Sequence, residues 1–214
     1  SKTLHDGTEA AAKAAGIPFL YAESNFQPDK IQANTNTLML QGANIIVDFN
    51  VTPDAYTNLI PKMKEQGVPL LMVDTYTEGA YFFGANNTVA GSTAGNFMVD
   101  YADENWGGEI DHVITVGTWT QGEVVMDRCD GIIAGVQERL PDFDVENCYT
   151  AIECGGASAD QMTTIMTKVK DVLTMYPDAD NICIGVYSEH LMQALFTALE
   201  QANRVEDVMI VSLG

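Results

Sequence analysis

Basic residues are scarce in this chain: 10 Lys and Arg stand against 30 Asp and Glu, a formal charge of −20 at pH 7. Gripping a nucleic-acid backbone or an anionic lipid face requires clustered cations, so nucleic acid is excluded as a partner. Long apolar runs are also lacking. None approaches the roughly 20 residues that span a bilayer, which excludes direct membrane insertion. No basic-then-apolar leader opens the chain, but a secreted protein whose leader has been removed reads the same way, so the compartment stays open.

Cysteine is sparse and badly placed for bridging. Cys148 and Cys154 fall on what reads as one extended strand, about 20 Å apart at the usual rise per residue, beyond the reach of a disulfide. Cys129 falls on a helix and Cys183 inside a strand, and the spacings match no zinc pattern, so no metal is expected. Phosphate-binding loops are missing too. The nearest glycine-rich turn, "GGASAD" after Cys154, has neither the lysine of a P-loop nor the glycine spacing of a dinucleotide fingerprint. It reads as a connection before a helix capped by Ser158, and no cofactor is indicated. Catalytic pairings are absent as well: His5, His112 and His190 have no matching nucleophile, so an enzyme is not expected.

What the chain does contain is a steady alternation. Helical patterns cover residues 4–15, 28–41, 53–66, 88–104, 123–140, 159–176 and 189–202. Between them lie apolar runs: "IPFLYA", "NIIVDF", "VPLLMV", the short "YFFG", "DHVITVG", residues 145–153, "NICIGV" and "DVMIVSL". Strands that are apolar throughout, alternating with amphipathic helices, predict an α/β fold of parallel sheets covered on both faces. Residues 42–74 can be laid over 178–214 as strand, polar loop, helix, spacer and strand, which predicts two similar lobes. The glycines of Asn105-Trp106-Gly107-Gly108 place the expected boundary between lobes 1–105 and 106–214. The first residues form a helix with no strand ahead of it, and the last form a strand with no helix to cover it, so a chain truncated at both ends is expected.

In open parallel sheets, ligands bind beyond the carboxyl ends of the strands. Polar and aromatic residues stop the apolar runs there: Phe49-Asn50, Asp74-Thr75, Asn86-Asn87, Thr118-Trp119-Thr120-Gln121 and Tyr187-Ser188. Neutral donors and acceptors with aromatics between them suit a polyhydroxylated ligand, whose hydroxyls both donate and accept while its ring packs on an aromatic face. Each residue also has a structural use open to it. Asn86 or Asn87 can cap the following helix, Asp74 can bond its own turn, and Trp119 can fill core under its loop.

The stretches "LHDGTEAAAKAAGI", "DKIQANTNTLMLQGANIIV", "GVPLLMVDT", "GANNTVAGSTAG", "DRCDGIIAGV", "YPDADNICIG" and "EHLMQALFTALEQA" together resemble the type I periplasmic sugar-binding proteins of ABC importers. That fold is shared with the effector domains of lactose-repressor-type regulators. The resemblance implies a solute-binding protein that closes two lobes on a sugar or similar small polar molecule in an inter-lobe cleft. It implies a membrane permease as partner and a periplasmic or extracellular location, lipid-anchored in a Gram-positive cell. An effector-binding domain of a transcriptional regulator stays open as the alternative. By the resemblance Asp74 matches a sugar-holding aspartate, Phe49-Asn50 a ligand-facing turn, and Tyr187 a position where the family presents Asn. Asp74, Asn50 and Asn86 or Asn87 are expected on one lobe, and Trp119, Gln121 and Tyr187 on the other. Departures from the pattern are Thr75 in place of Arg, Met126 where the sugar-binding arginine is expected with Arg128 matching a second one, and Gly214 in place of Asp.

Overall fold

A computed structural model describes residues 2–50, 53–155 and 159–214. The chain divides into two compact units, Ser1–Ala85 and Asn86–Gly214.

In the first unit, α1 (Lys2–Ala14) and α2 (Pro28–Leu40) precede β1 (Ile46–Asp48), α3 (Leu59–Glu65), β2 (Leu70–Val73) and β3 (Tyr81–Phe83). The three strands are parallel, in the order β1-β2-β3. Ile31, Ile46, Tyr56, Leu59, Ile60, Met63, Leu70 and Met72 form its core.

Two elements differ from the sequence reading. "IPFLYA" joins no strand ladder: Ile17, Leu20 and Tyr21 are exposed, and a cavity of about 810 Å³ lies between this segment and β1. An apolar run becomes a strand only where a neighbour accepts its backbone hydrogen bonds, and β1 pairs with β2 alone. The helix expected over 53–66 is broken into a 3-10 turn, Pro53–Tyr56, and α3. Proline explains the break. A continuous helix would need an N–H from Pro61, whereas a start at Leu59 leaves Pro61 in the first turn, where that N–H has no partner to lose.

The second unit holds α4 (Asn87–Asn105), β4 (His112–Gly117), α5 (Glu123–Arg139), α6 (Val145–Cys148), β5 (Tyr149–Glu153), α7 (Ala159–Met175), β6 (Ile182–Val186), α8 (Met192–Ala202) and β7 (Val208–Ser212). Its sheet is parallel throughout, in the order β5-β4-β6-β7. Neighbouring strand residues serve opposite faces. Ile114, Val116, Ile182 and Ile184 pack with Ile165, Val169, Leu195 and Leu199 of α7 and α8, while Val113, Cys183 and Met209 pack with Met98, Val99, Ile132 and Val136 of α4 and α5. The strand expected from residue 145 starts only at Tyr149, because Asp144 caps a helical turn by accepting from the Asn147 backbone N–H at 3.2 Å.

The units part at Ala85 rather than at the glycines after Asn105. Those glycines end a helix. Gly107 and Gly108 have φ of 66° and 86°, and the Gly108 N–H returns to the Ala102 carbonyl at 3.0 Å. The helix they end belongs to the second unit because α4 and α5 meet through glycines. A Cβ on Gly91, Gly95, Gly131 or Gly135 would lie 2.3, 2.1, 2.5 or 2.3 Å from a backbone oxygen of the facing helix. No side chain fits at that separation.

All four cysteines are free, and burial pushes the thiols of Cys129 and Cys183 up to about 12. No helix among the described residues is long and apolar enough to cross a membrane.

His112 is 1% exposed at the start of β4. Its Nε2 lies 2.9 Å from Thr150 Oγ1, its Nδ1 has no partner among the described residues, and its ring centroid is 4.1 Å from that of Tyr176. Burial lowers its pKa from the usual 6.5. The unfolded chain therefore takes up a proton at a higher pH than the folded one, so stability is full above 6.5 and is lost as pH falls below it. The loss is expected at up to about 1.4 kcal/mol per pH unit until the folded-state ring is also protonated. Urea midpoints at neutral and mildly acidic pH check this: His112→Gln should narrow the gap between them, and an unchanged gap would exclude His112 as its source.

Candidate ligand-binding site

In the first unit the candidate residues lie where β1 and β2 stop. Asp48, the last residue of β1, accepts from three donors: the Phe49 N–H at 2.9 Å, Asn50 Nδ2 at 2.6 Å and the Tyr56 hydroxyl. Burial, with the Asp48 charge next in weight, raises the Tyr56 pKa, so the phenol remains a donor. This cluster fixes the turn that carries Phe49 and the buried Asn50. Tyr56→Phe is expected to cost about 1 to 3 kcal/mol by leaving a carboxylate oxygen short of a donor. A urea midpoint unchanged from wild type would rule out a structural role for the bond.

Asp74 follows β2 in the left-handed region at φ 60°, which few side chains other than Asn and Asp tolerate. Its N–H donates to the Phe83 carbonyl at 2.9 Å, so the β2–β3 pairing holds it in that conformation. Gly84 makes room beside it, because a Cβ there would lie 2.8 Å from Asp74 Oδ1. No hydrogen bond or ion pair to the Asp74 carboxylate occurs among the described residues. Asp74, Val73 and Phe49 line a cavity of about 580 Å³ with Thr3, Leu4 and Gly7 of α1. Thr75 is buried.

In the second unit the strand ends converge on Arg128 of α5. Its Nε donates to Asn87 Oδ1 at 2.9 Å, and its Nη1 donates to the carbonyls of Tyr187 at 2.8 Å and Leu213 at 3.2 Å. Arg128 thus ties the first turn of α4 to the ends of β6 and β7. Asn86 caps α4, its Oδ1 accepting from the Val89 N–H at 3.1 Å. Both asparagines lie in the second unit, not with Asp74 as expected from the sequence, because α4 packs on α5.

The remaining expected residues have other surroundings. The Tyr187 ring is buried in the core, its hydroxyl 3.4 Å from Thr118 Oγ1, so its backbone carbonyl is what reaches Arg128 at the strand end. The half-buried Trp119 ring lies over Gly117, where a Cβ would come within 2.1 Å of it, and the Trp119 N–H donates to Glu153 Oε2 at 2.6 Å. Thr118, Cys154 and Gln161 form a buried polar cluster beneath, with Gln161 Nε2 3.0 Å from Thr118 Oγ1 and Thr118 Oγ1 3.1 Å from Cys154 Sγ. The side chain of Gln121 and the cap expected from Ser158 lie outside the described residues. Asp48 escaped the sequence reading because it sits inside an apolar run, where a lone carboxylate was itself the signal. No group of three or more His, Cys, Asp or Glu that could hold a metal occurs among the described residues.

The arrangement offers oriented carboxylate, amide and guanidinium groups at strand ends. A family model described as the periplasmic binding protein domain matches residues 2–214, and the chain belongs to that family, in its type I form. Its members are binding proteins, not enzymes. The ribose import binding protein of Escherichia coli K12 is 23% identical over 212 residues, covering 98% of this chain and 66% of that protein. This chain therefore spans about 66% of the length of that relative. Among solved structures, a Mycobacterium smegmatis ABC transporter solute-binding protein with bound glycerol superposes with a TM-score of 0.71 at 24% identity, over 95% of this chain and 66% of that one. A Caulobacter myo-inositol-binding protein bound to myo-inositol gives 0.75 at 16% identity, over 98% and 69%.

Proposed function

We propose that the full-length protein is the solute-binding component of an ABC importer and holds a sugar or similar polyhydroxylated molecule. The observation that carries this reading is Asp74: a carboxylate with no protein partner among the described residues, kept in a costly left-handed conformation beside a cavity that an aromatic ring also lines. A conformation of that kind costs about 1 kcal/mol even for Asp, which tolerates it better than most residues, and tends to persist at functional positions. A carboxylate accepts from two adjacent hydroxyls, and Phe49 offers a face to the ligand's C–H surface. Within the first unit the contacts proposed are Asp74 and Asn50; taken by itself, the second unit offers Asn87 and Arg128 at its strand ends. Phe49 supplies packing, while Asn86, Thr75, Trp119 and Tyr187 support the backbone around them.

The ligands named for the relatives, glycerol and myo-inositol, are polyhydroxylated, which supports the ligand class. A permease partner and a location outside the cytoplasmic membrane follow from the same reading. Calorimetry of the full-length protein against a panel of sugars and polyols tests it. At least one should bind with a dissociation constant in the micromolar range or below, with a fixed one-to-one stoichiometry. Failure of the whole panel, alongside tight binding of amino acids or peptides, would remove the sugar reading.

A further inference from the structure

The chain has three arginines, and Arg128 differs from the other two in its partners. Arg139 pairs with Asp100 at 2.6 Å and Asp103 at 3.4 Å, and Arg204 pairs with Asp207. Arg128 makes its three hydrogen bonds to an amide oxygen and two backbone carbonyls, all neutral. No carboxylate lies within ion-pair distance of it among the described residues, although the chain carries 30 acidic side chains. Its neighbours on α5, Asp127 and Asp130, are exposed and do not pair with it. The guanidinium is half-buried, so its charge is partly removed from water without a counter-charge.

Its bonding pattern leaves donors to spare. A guanidinium has five N–H groups; Nε uses one and Nη1 two, so Nη2 keeps both of its own free of described partners. The guanidinium stands beside the first turn of α4 through its Nε bond to Asn87, and the positive dipole end of that helix adds to the attraction for an anion. We infer, on the reading of the strand ends as a sugar site, that the ligand carries a carboxylate, as an aldonic or uronic acid does, and that this group pairs with Arg128. A neutral hydroxyl would also bond to Nη2, but a carboxylate brings the counter-charge that Arg128 lacks and presents two acceptor oxygens to the guanidinium fork. The acid should therefore outbind its neutral parent by about tenfold or more.

The test titrates the full-length protein with D-glucuronate and D-gluconate against D-glucose and D-glucitol, at low and at high salt. The expected result is an advantage for the acids of about tenfold or more at low salt that shrinks as salt screens the pair. Arg128→Gln should bring the ratio of acid to neutral affinity close to one, and Arg128→Lys, which keeps the charge, should retain part of it. The wild-type comparison decides the matter even if the glutamine variant folds poorly. Equal or tighter binding of the neutral members would overturn this inference and leave the sugar reading standing; binding of none of the four, with tight binding of non-sugar ligands, would remove both.

Discussion

Gly95→Ala is expected to destabilise the protein by about 3 kcal/mol or more, although it adds a single methyl group to a helix. On an exposed helix face the same change stabilises by roughly 0.5 to 1 kcal/mol, since alanine has less backbone entropy to lose. Position reverses the sign. A Cβ on Gly95 would lie 2.1 Å from the Ile132 carbonyl oxygen and 3.0 Å from the Val136 nitrogen, both backbone atoms of α5 that no rotamer change can move. Relief requires α4 and α5 to separate, which opens the layer formed by Met98, Val99, Ile132 and Val136 against the sheet. Gly7 on α1 is the control: nothing lies within 4 Å of an added Cβ, and Gly7→Ala should stabilise slightly. Urea unfolding of both variants measures the contrast, and a mild effect at Gly95 would mean that the two helices are further apart than described.

Asp74→Gly is expected to move stability and binding in opposite directions. Glycine takes a φ of 60° without steric cost, so the folded state should gain up to about 1 kcal/mol from relief of the left-handed conformation. Ligand affinity should fall, because the carboxylate goes and the ligand hydroxyls it accepted from lose their partner, a cost of about 1 to 3 kcal/mol or roughly 5-fold to 150-fold. Asp74→Asn separates the contributions. It keeps the tolerance for this backbone region and one acceptor oxygen, so its stability should stay close to wild type with an intermediate loss of affinity. A variant that loses stability and binding together would make Asp74 a structural residue instead.

The second unit was far more legible in the sequence than the first, for a physical reason. β4, β6 and β7 lie in a four-stranded sheet covered on both faces, and burial on both sides demands the continuous apolar runs by which they were recognised. "IPFLYA" has the same composition, but a strand also needs a neighbour, and neighbours cannot be read from a run taken alone. Gly107-Gly108 looked like a boundary because glycine marks both linkers and helix ends, and only the return of the Gly108 N–H to Ala102 tells them apart. Asp74 was legible as a candidate because a charged residue ends an apolar run. The hydrogen bonds of Arg128 were not legible, because its partners Asn87, Tyr187 and Leu213 lie up to 85 residues away in the chain.

The central claim is that ligand is held at the carboxyl ends of the strands, and hydrogen–deuterium exchange of the full-length protein with and without a bound sugar tests it most directly. Bound ligand should slow exchange at the backbone amides around Phe49-Asn50, Asp74-Thr75, Asn87-Thr88 and the segment following β6, where open turns now close on a partner. The glycine-packed interior of α4 and α5 should exchange slowly in both states. Protection confined to the outer faces of α7 and α8, with the four strand-end segments unchanged, would contradict the account.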